Sequence, residues 1–209
     1  MTTKPNHSIV LQALDYAFEK AVLGLPGMDT AEDLAKSYLQ QKGTLTERVN
    51  ALIRWQNTKA GSSGFITGVG GFATLPVSIP ANLVSVLYFQ VRMVAAIAFM
   101  GGYDIRDDRV KSLIYICLAG NMAKDILQEI GIRAGSRITA SIIGQISEKT
   151  ILAINQKIGI QLLTKTSGRG TINIGKAVPL VGGLIGGTFD VFTTNLIGNI
   201  ARNTFITEE

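Results

Sequence analysis

Few residues in this chain are of types that do chemistry, and their spacing argues against most reactions. His7 is the single histidine and Cys117 the single cysteine among 209 residues. That removes His-based triads and the usual zinc spacings. It also excludes an internal disulfide. Cys117 sits in the apolar run Leu113–Ala119 and reads as a small buried hydrophobe. The paired acids Glu32-Asp33 and Asp107-Asp108 stand at expected helix starts, where capping and the helix dipole account for them. Gly170-Thr171-Ile172-Asn173-Ile174-Gly175-Lys176 approximates a phosphate loop. Ala177, however, replaces the hydroxyl that would bind magnesium, no apolar strand precedes the loop, and Pro179 follows at once. Gly68-Val69-Gly70-Gly71 lacks the strand and spacing of a dinucleotide site. The expectation is a protein without catalytic residues, cofactor or metal.

Two charges stand out because of where they lie. Ala60 to Val91 is a run of 32 residues without a charge, ended by Arg92. Ala177 to Ala201 carries one charge, Asp190. A buried charge without a partner is costly, and removing one member of a buried pair costs about 3–5 kcal/mol. Arg92 or another buried cation is therefore expected to pair with Asp190 where the two apolar segments meet, the alternative being that Asp190 faces water.

Glycine and proline mark the same segments. Gly64, Gly68 and Gly71 share a narrow helical sector before Pro76 and Pro80 break the chain. Gly182, Gly183, Gly186 and Gly187 form staggered small-residue pairs, and Gly183, Gly187, Asp190, Thr194 and Gly198 fall on one face. Glycine costs about 1 kcal/mol against alanine inside a helix. So many glycines imply compensation by close helix packing, in a membrane or in a tight soluble bundle, or by movement.

The elements that must position these residues are helical. Periodicity of 3.6 dominates and no strand alternation appears. The expected fold is all-α: a single domain with two Gly/Pro-rich apolar helical hairpins packed against amphipathic helices. Residues 1–60 form amphipathic helices, and 61–209 a helical core holding the hairpin segments 64–100 and 177–205. An apolar stripe from Ile9 to Val22 predicts the first helix. Asp29 with Glu32 predicts the start of a second, and Thr44 with Glu47 a third. Pro80 suits the first position of a helix that Gly101-Gly102 ends. Asp104 and Asp107 open the next, breaks are expected near Gly131, Gly135 and Ser167–Gly170, and a last helix runs from about Pro179 to Phe205.

Composition bears on membrane contact. Charged residues are 17% of the chain, against roughly 25% in soluble domains. From Ala81 to Met100, 16 of 20 residues are apolar, a length that suits a bilayer. Arg92 near the middle of that segment would cost about 2.5–3.5 kcal/mol on insertion scales, and Asp190 a similar amount, so constitutive spanning is not favoured. The net charge is +5 and uneven. Between Ile130 and Lys176 stand Arg133, Arg137, Lys149, Lys157, Lys165, Arg169 and Lys176 against the lone acid Glu148. Six of them, Arg133, Arg137, Lys157, Lys165, Arg169 and Lys176, are the candidates for anionic lipid headgroups. Nucleic acid is not expected, since no aromatic residues interleave with these cations. Met1 to Ser8 lacks the basic head and apolar core of a signal peptide, which points to the cytoplasm.

Several motifs together resemble the EcsC protein family. They are Gly64-Phe65-Ile66-Thr67-Gly68-Val69-Gly70-Gly71 with Thr74–Ala81; Ala98-Phe99-Met100-Gly101-Gly102-Tyr103-Asp104; Asn155–Gly159; and Gly175–Gly187 with Asp190, Thr194, Ile197-Gly198 and Phe205. They run in order through roughly residues 45–205, and the N-terminal part is less diagnostic. The resemblance implies a bacterial, mostly helical protein of a family named after a gene beside an ABC transporter linked to secretion. It supplies no catalytic residues.

The resulting expectation is a non-enzymatic, amphitropic accessory protein, peripheral to the inner face of the cell membrane. Its expected partners are anionic lipid and, through the resemblance, a membrane protein such as an ABC transporter. A membrane-permeabilising effector and a soluble binder of a lipid-like apolar ligand stand as alternatives. The oligomeric state is not specified by any pattern in the sequence.

Overall fold

The computed structural model describes residues 7–60, 81–132, 138–169 and 193–206. At positions 7, 59, 60, 81, 82, 140 and 163–169 it describes the backbone alone. The fold is all-α in a single domain, and the described residues contain no strand. The helices are α1 (His7–Leu23), α2 (Ala31–Leu39), α3 (Leu45–Ala60), α4 (Ala81–Met100), α5 (Asp108–Leu118), α6 (Ala123–Glu129), α7 (Ala140–Gly144) and α8 (Glu148–Arg169). Residues 193–205 form a further helix, α9.

Local chemistry fixes most of the helix ends. The second helix starts one residue later than its acids suggest. Thr30, not Asp29, is the cap, and its hydroxyl accepts from the Asp33 amide at 3.0 Å while the Asp33 carboxylate accepts from the Thr30 amide. The threonine wins because its hydroxyl stands three residues before an acid, the spacing of a reciprocal capping box. The Thr30 hydroxyl also donates to the Asp33 carboxylate at 2.7 Å, and with the Thr30 amide it holds the Asp33 carboxyl below the ordinary carboxylate range. The box expected at Thr44 and Glu47 forms as read, at 2.8 and 3.2 Å. Asp107 caps α5 through the Arg109 amide at 2.7 Å.

The break after α4 is a glycine-closed cap. Gly102 takes φ +85°, a backbone region that costs other residues steric strain. The Tyr103 amide then reaches the Ala98 carbonyl at 3.1 Å and the Gly102 amide the Phe99 carbonyl at 2.9 Å. Gly131 closes α6 in the same way, at φ +82°. α8 runs through Ser167 and Gly168 to Arg169, and Gly170, the last residue of the expected break, lies outside the described residues.

Packing is organised around α4, which lies against α1, α2, α3 and α5. Nearly every described side chain from Val84 to Ala98 is buried, on all faces of the helix. A helix that is apolar all round belongs in the centre of a bundle, and the surrounding helices are amphipathic enough to cover it. The α1 stripe Val10, Ala13, Leu14, Ala17, Phe18 and Ala21 is buried as its periodicity requires. On the far side, α5 joins α4 to α8. Tyr115 of α5 donates its hydroxyl to the Asp15 carboxylate at 2.9 Å, and Lys111 reaches the same carboxylate at 2.8 Å. Polar groups thus tie α1 to α5 at the rim of an apolar core.

Candidate functional site

The segment that could meet a bilayer and the centre of the fold are the same element. Among the described residues, α4 is the one helix long and apolar enough to cross a membrane by length and composition, and most of its window from Leu83 to Met100 is buried inside the protein. The core helix of a soluble protein can share that length and composition. What distinguishes α4 is the set of polar side chains it carries inward: Ser85, Gln90 and Arg92, each less than 9% exposed.

Arg92 sits in a pocket assembled from its own helix and from the α1–α2 loop. It is 4% exposed. Its Nη1 donates to the backbone carbonyl of Asp29 at 3.0 Å. The guanidinium carbon stands 5.6 Å from the Tyr88 ring centroid and 5.8 Å from that of Phe89. These two rings lie four and three residues earlier on α4, the offsets at which helix side chains meet. They pack edge to face at 5.1 Å, so the cation lies against a fixed aromatic wall. Burial pushes the Tyr88 hydroxyl above its ordinary pKa, with Arg92 opposing the shift. Among the described residues, the buried Nε of Arg92 has no hydrogen-bond acceptor and no carboxylate is within ion-pair reach of the guanidinium.

The loop that supplies the carbonyl is tightly specified. Gly24 and Gly27 take φ +90° and +77°. Leu25 is buried and bridges to Met28, whose amide donates to the Leu25 carbonyl at 2.9 Å. At Gly24 a Cβ would come within 3.2 Å of the Thr30 side chain. The turn therefore holds its shape between α1 and α2, with the Asp29 carbonyl aimed at α4.

The C-terminal end of α4 meets the C-terminal end of α9. A Cβ on Gly101 would fall on the backbone carbonyl of Phe205, and the Phe205 ring stands edge to face with Tyr103 at 5.3 Å. The Tyr103 hydroxyl donates to the Ile138 carbonyl. Further along α9, a Cβ on Gly198 would come within 2.9 Å of two Ile53 carbons on α3. Asn57 donates to Asn195 at 3.0 Å and Arg202 to Asn50 at 2.6 Å, so α3 and α9 run antiparallel.

These contacts place two motifs, Ala98–Asp104 and the Thr194–Phe205 part of the last segment, side by side across about a hundred residues of sequence. A model of the EcsC protein family matches residues 2–207. The chain belongs to the EcsC protein family. The match takes in the N-terminal helices, which lie largely outside the motifs that carry the resemblance. No curated protein and no solved structure matches the chain.

The EcsC fold accounts for some of the expected site residues. Arg92 is buried as expected, and its described contacts are a carbonyl and two rings, while Asp190 lies outside the described residues. So do Gly64, Gly68, Gly71, Pro76 and Pro80, and Gly182, Gly183, Gly186 and Gly187. Among the lipid candidates, Arg133, Arg137 and Lys176 lie outside the described residues, as do the side chains of Lys165 and Arg169. Lys157 is half-exposed and ion-paired with Glu129 of α6. The described end of the small-residue face, Thr194 and Gly198, is turned into the protein.

Sequence reading passes over several groups that matter here. The Asp29 carbonyl leaves no trace in composition. Tyr88 and Phe89 are visible only through their helical offsets from Arg92. Gly101 reads as half of a helix stop, although its place beside Phe205 demands a residue without a side chain.

Two buried groups of α5, beside α4, are held in their protonated forms near neutral pH. Burial pushes the Cys117 thiol up to about 12. The Tyr115 hydroxyl is held far above its ordinary range, chiefly by burial and then by the Asp15 carboxylate. No group of three or more His, Cys, Asp or Glu among the described residues could hold a metal ion.

Proposed function

We propose that this EcsC protein is a non-enzymatic, amphitropic accessory protein of the cytoplasmic membrane face. It folds in water with its most apolar helix enclosed, and it exposes that helix at an anionic bilayer or to a membrane-embedded partner such as an ABC transporter. The observation that carries the reading is α4: a helix of spanning length, predominantly apolar, buried on every face and wrapped by amphipathic helices. An uncharged run of 32 residues, ended by Arg92, leads into and along it. The surplus of cations in 130–176 supports a preference for anionic headgroups. The low overall share of charged residues points the same way.

Vesicle flotation tests this. The purified protein is expected to rise with vesicles containing anionic lipid and to be recovered much less with neutral ones. Binding without release of an entrapped dye is the outcome for an accessory protein, whereas dye release identifies a permeabilising one. Failure to float with either lipid would end the proposal.

A further inference from the structure

Arg92 is the one charged residue in α4, and nothing in the packing of a soluble bundle requires a charge there. The fold nevertheless goes to some length to accommodate it. One guanidinium nitrogen is hydrogen-bonded to the Asp29 carbonyl, two aromatic rings line the cation, and Nε is without an acceptor among the described residues. The charge is therefore solvated in the folded state by groups that belong partly to another element, the turn held by Gly24 and Gly27.

We infer that Arg92 is a retention device: it biases α4 toward the water-folded state and sets a threshold for its transfer to lipid. In the fold, the cation has a carbonyl dipole and aromatic faces. On leaving the bundle, α4 keeps Tyr88 and Phe89, which travel with it, but loses the carbonyl supplied by the α1–α2 turn. Arg92 is the twelfth residue of a 20-residue helix, so in a spanning orientation it would lie near the bilayer centre, where arginine is strongly disfavoured. The same side chain thus favours the closed form and penalises the inserted one. Release would require either a strongly anionic surface, whose phosphates replace the carbonyl, or an acidic group on a membrane partner.

This inference rests on the proposed membrane role, and the experiment separates the two. Wild type, Arg92→Lys, Arg92→Gln and Arg92→Met are mixed with vesicles of mixed anionic and neutral phospholipid. Each is then scored for the fraction that floats and for the fraction that resists extraction by alkaline carbonate. The Arg92→Met protein is expected to raise the ratio of carbonate-resistant to free protein about tenfold or more. The ceiling is about 60- to 300-fold, the equivalent of about 2.5–3.5 kcal/mol for arginine at a helix centre, at about 1.4 kcal/mol per tenfold. Arg92→Lys keeps the charge and should behave as wild type. Arg92→Gln is neutral but keeps a polar amide in place of the guanidinium, and should fall between; it carries the test if the methionine variant fails to fold. Wild type that floats while the neutral variants show an unchanged carbonate-resistant fraction would overturn the retention role and leave the membrane role standing. No flotation by any of the four would overturn the membrane role itself.

Discussion

Replacing Ile97 by alanine is expected to cost about 2–5 kcal/mol of folding stability in water. Ile97 is fully buried, on a helix that α1, α2, α3 and α5 surround. Truncation there removes three methyl or methylene groups from water-excluded packing and leaves a cavity in the packing around α4. Chemical denaturation of the purified protein measures the loss. A change below about 1 kcal/mol, too small for a core truncation, would mean that this face of α4 is at a surface in solution, with the bundle already open. The experiment therefore asks whether α4 is a core element before any lipid is present.

The Gly101→Ala variant is expected to lose about 3 kcal/mol, the upper end of what overpacking costs. The added methyl would fall on the Phe205 backbone carbonyl, and backbone cannot swing aside as a side-chain tip can. Relief would require α9 to move away from α4, taking the Tyr103–Phe205 ring contact with it. Gly144→Ala is the control: Gly144 lies at the end of α7 and an added Cβ there would meet nothing within 4 Å. That variant should unfold at the same denaturant concentration as wild type or slightly above it. Equal midpoints for the two alanine variants would show that the α4–α9 junction is not closed in solution.

Much of this architecture is legible in the sequence because it rests on local chemistry. The stripe from Val10 to Ala21 can be buried only on a helix, and the Thr44–Glu47 box can be read from spacing alone. Gly102 stands out as a stop because a glycine pair follows a long apolar run. The start of α2 differs by one residue from its expected place because two capping patterns overlap at Asp29, Thr30, Glu32 and Asp33, and spacing does not rank them. The central place of α4 is only half legible. Its composition says that water must be kept away, but composition does not distinguish four covering helices from lipid.

The environment of Arg92 is less accessible still. A buried arginine must be compensated, and a carboxylate such as Asp190 is the natural partner to seek in a sequence. A backbone carbonyl is present at every residue and so carries no sequence signal. Only the fold, by placing the α1–α2 turn over α4, shows that Asp29 offers its main chain. The close approaches at Gly101 and Gly198 depend in the same way on which helices become neighbours across a hundred residues or more.

The idea beneath all of this is that α4 is enclosed in water and comes into contact with acyl chains at an anionic membrane. A single tryptophan placed on it reports that contact. The Phe89→Trp substitution keeps an aromatic face beside Arg92, and Trp55→Phe removes the native tryptophan. Vesicles of anionic phospholipid with brominated acyl chains are expected to quench the emission of the introduced indole, and unbrominated vesicles of the same charge to leave it bright. Emission unchanged by the brominated lipid, from protein that has bound those vesicles, would contradict the account and leave α4 as core alone.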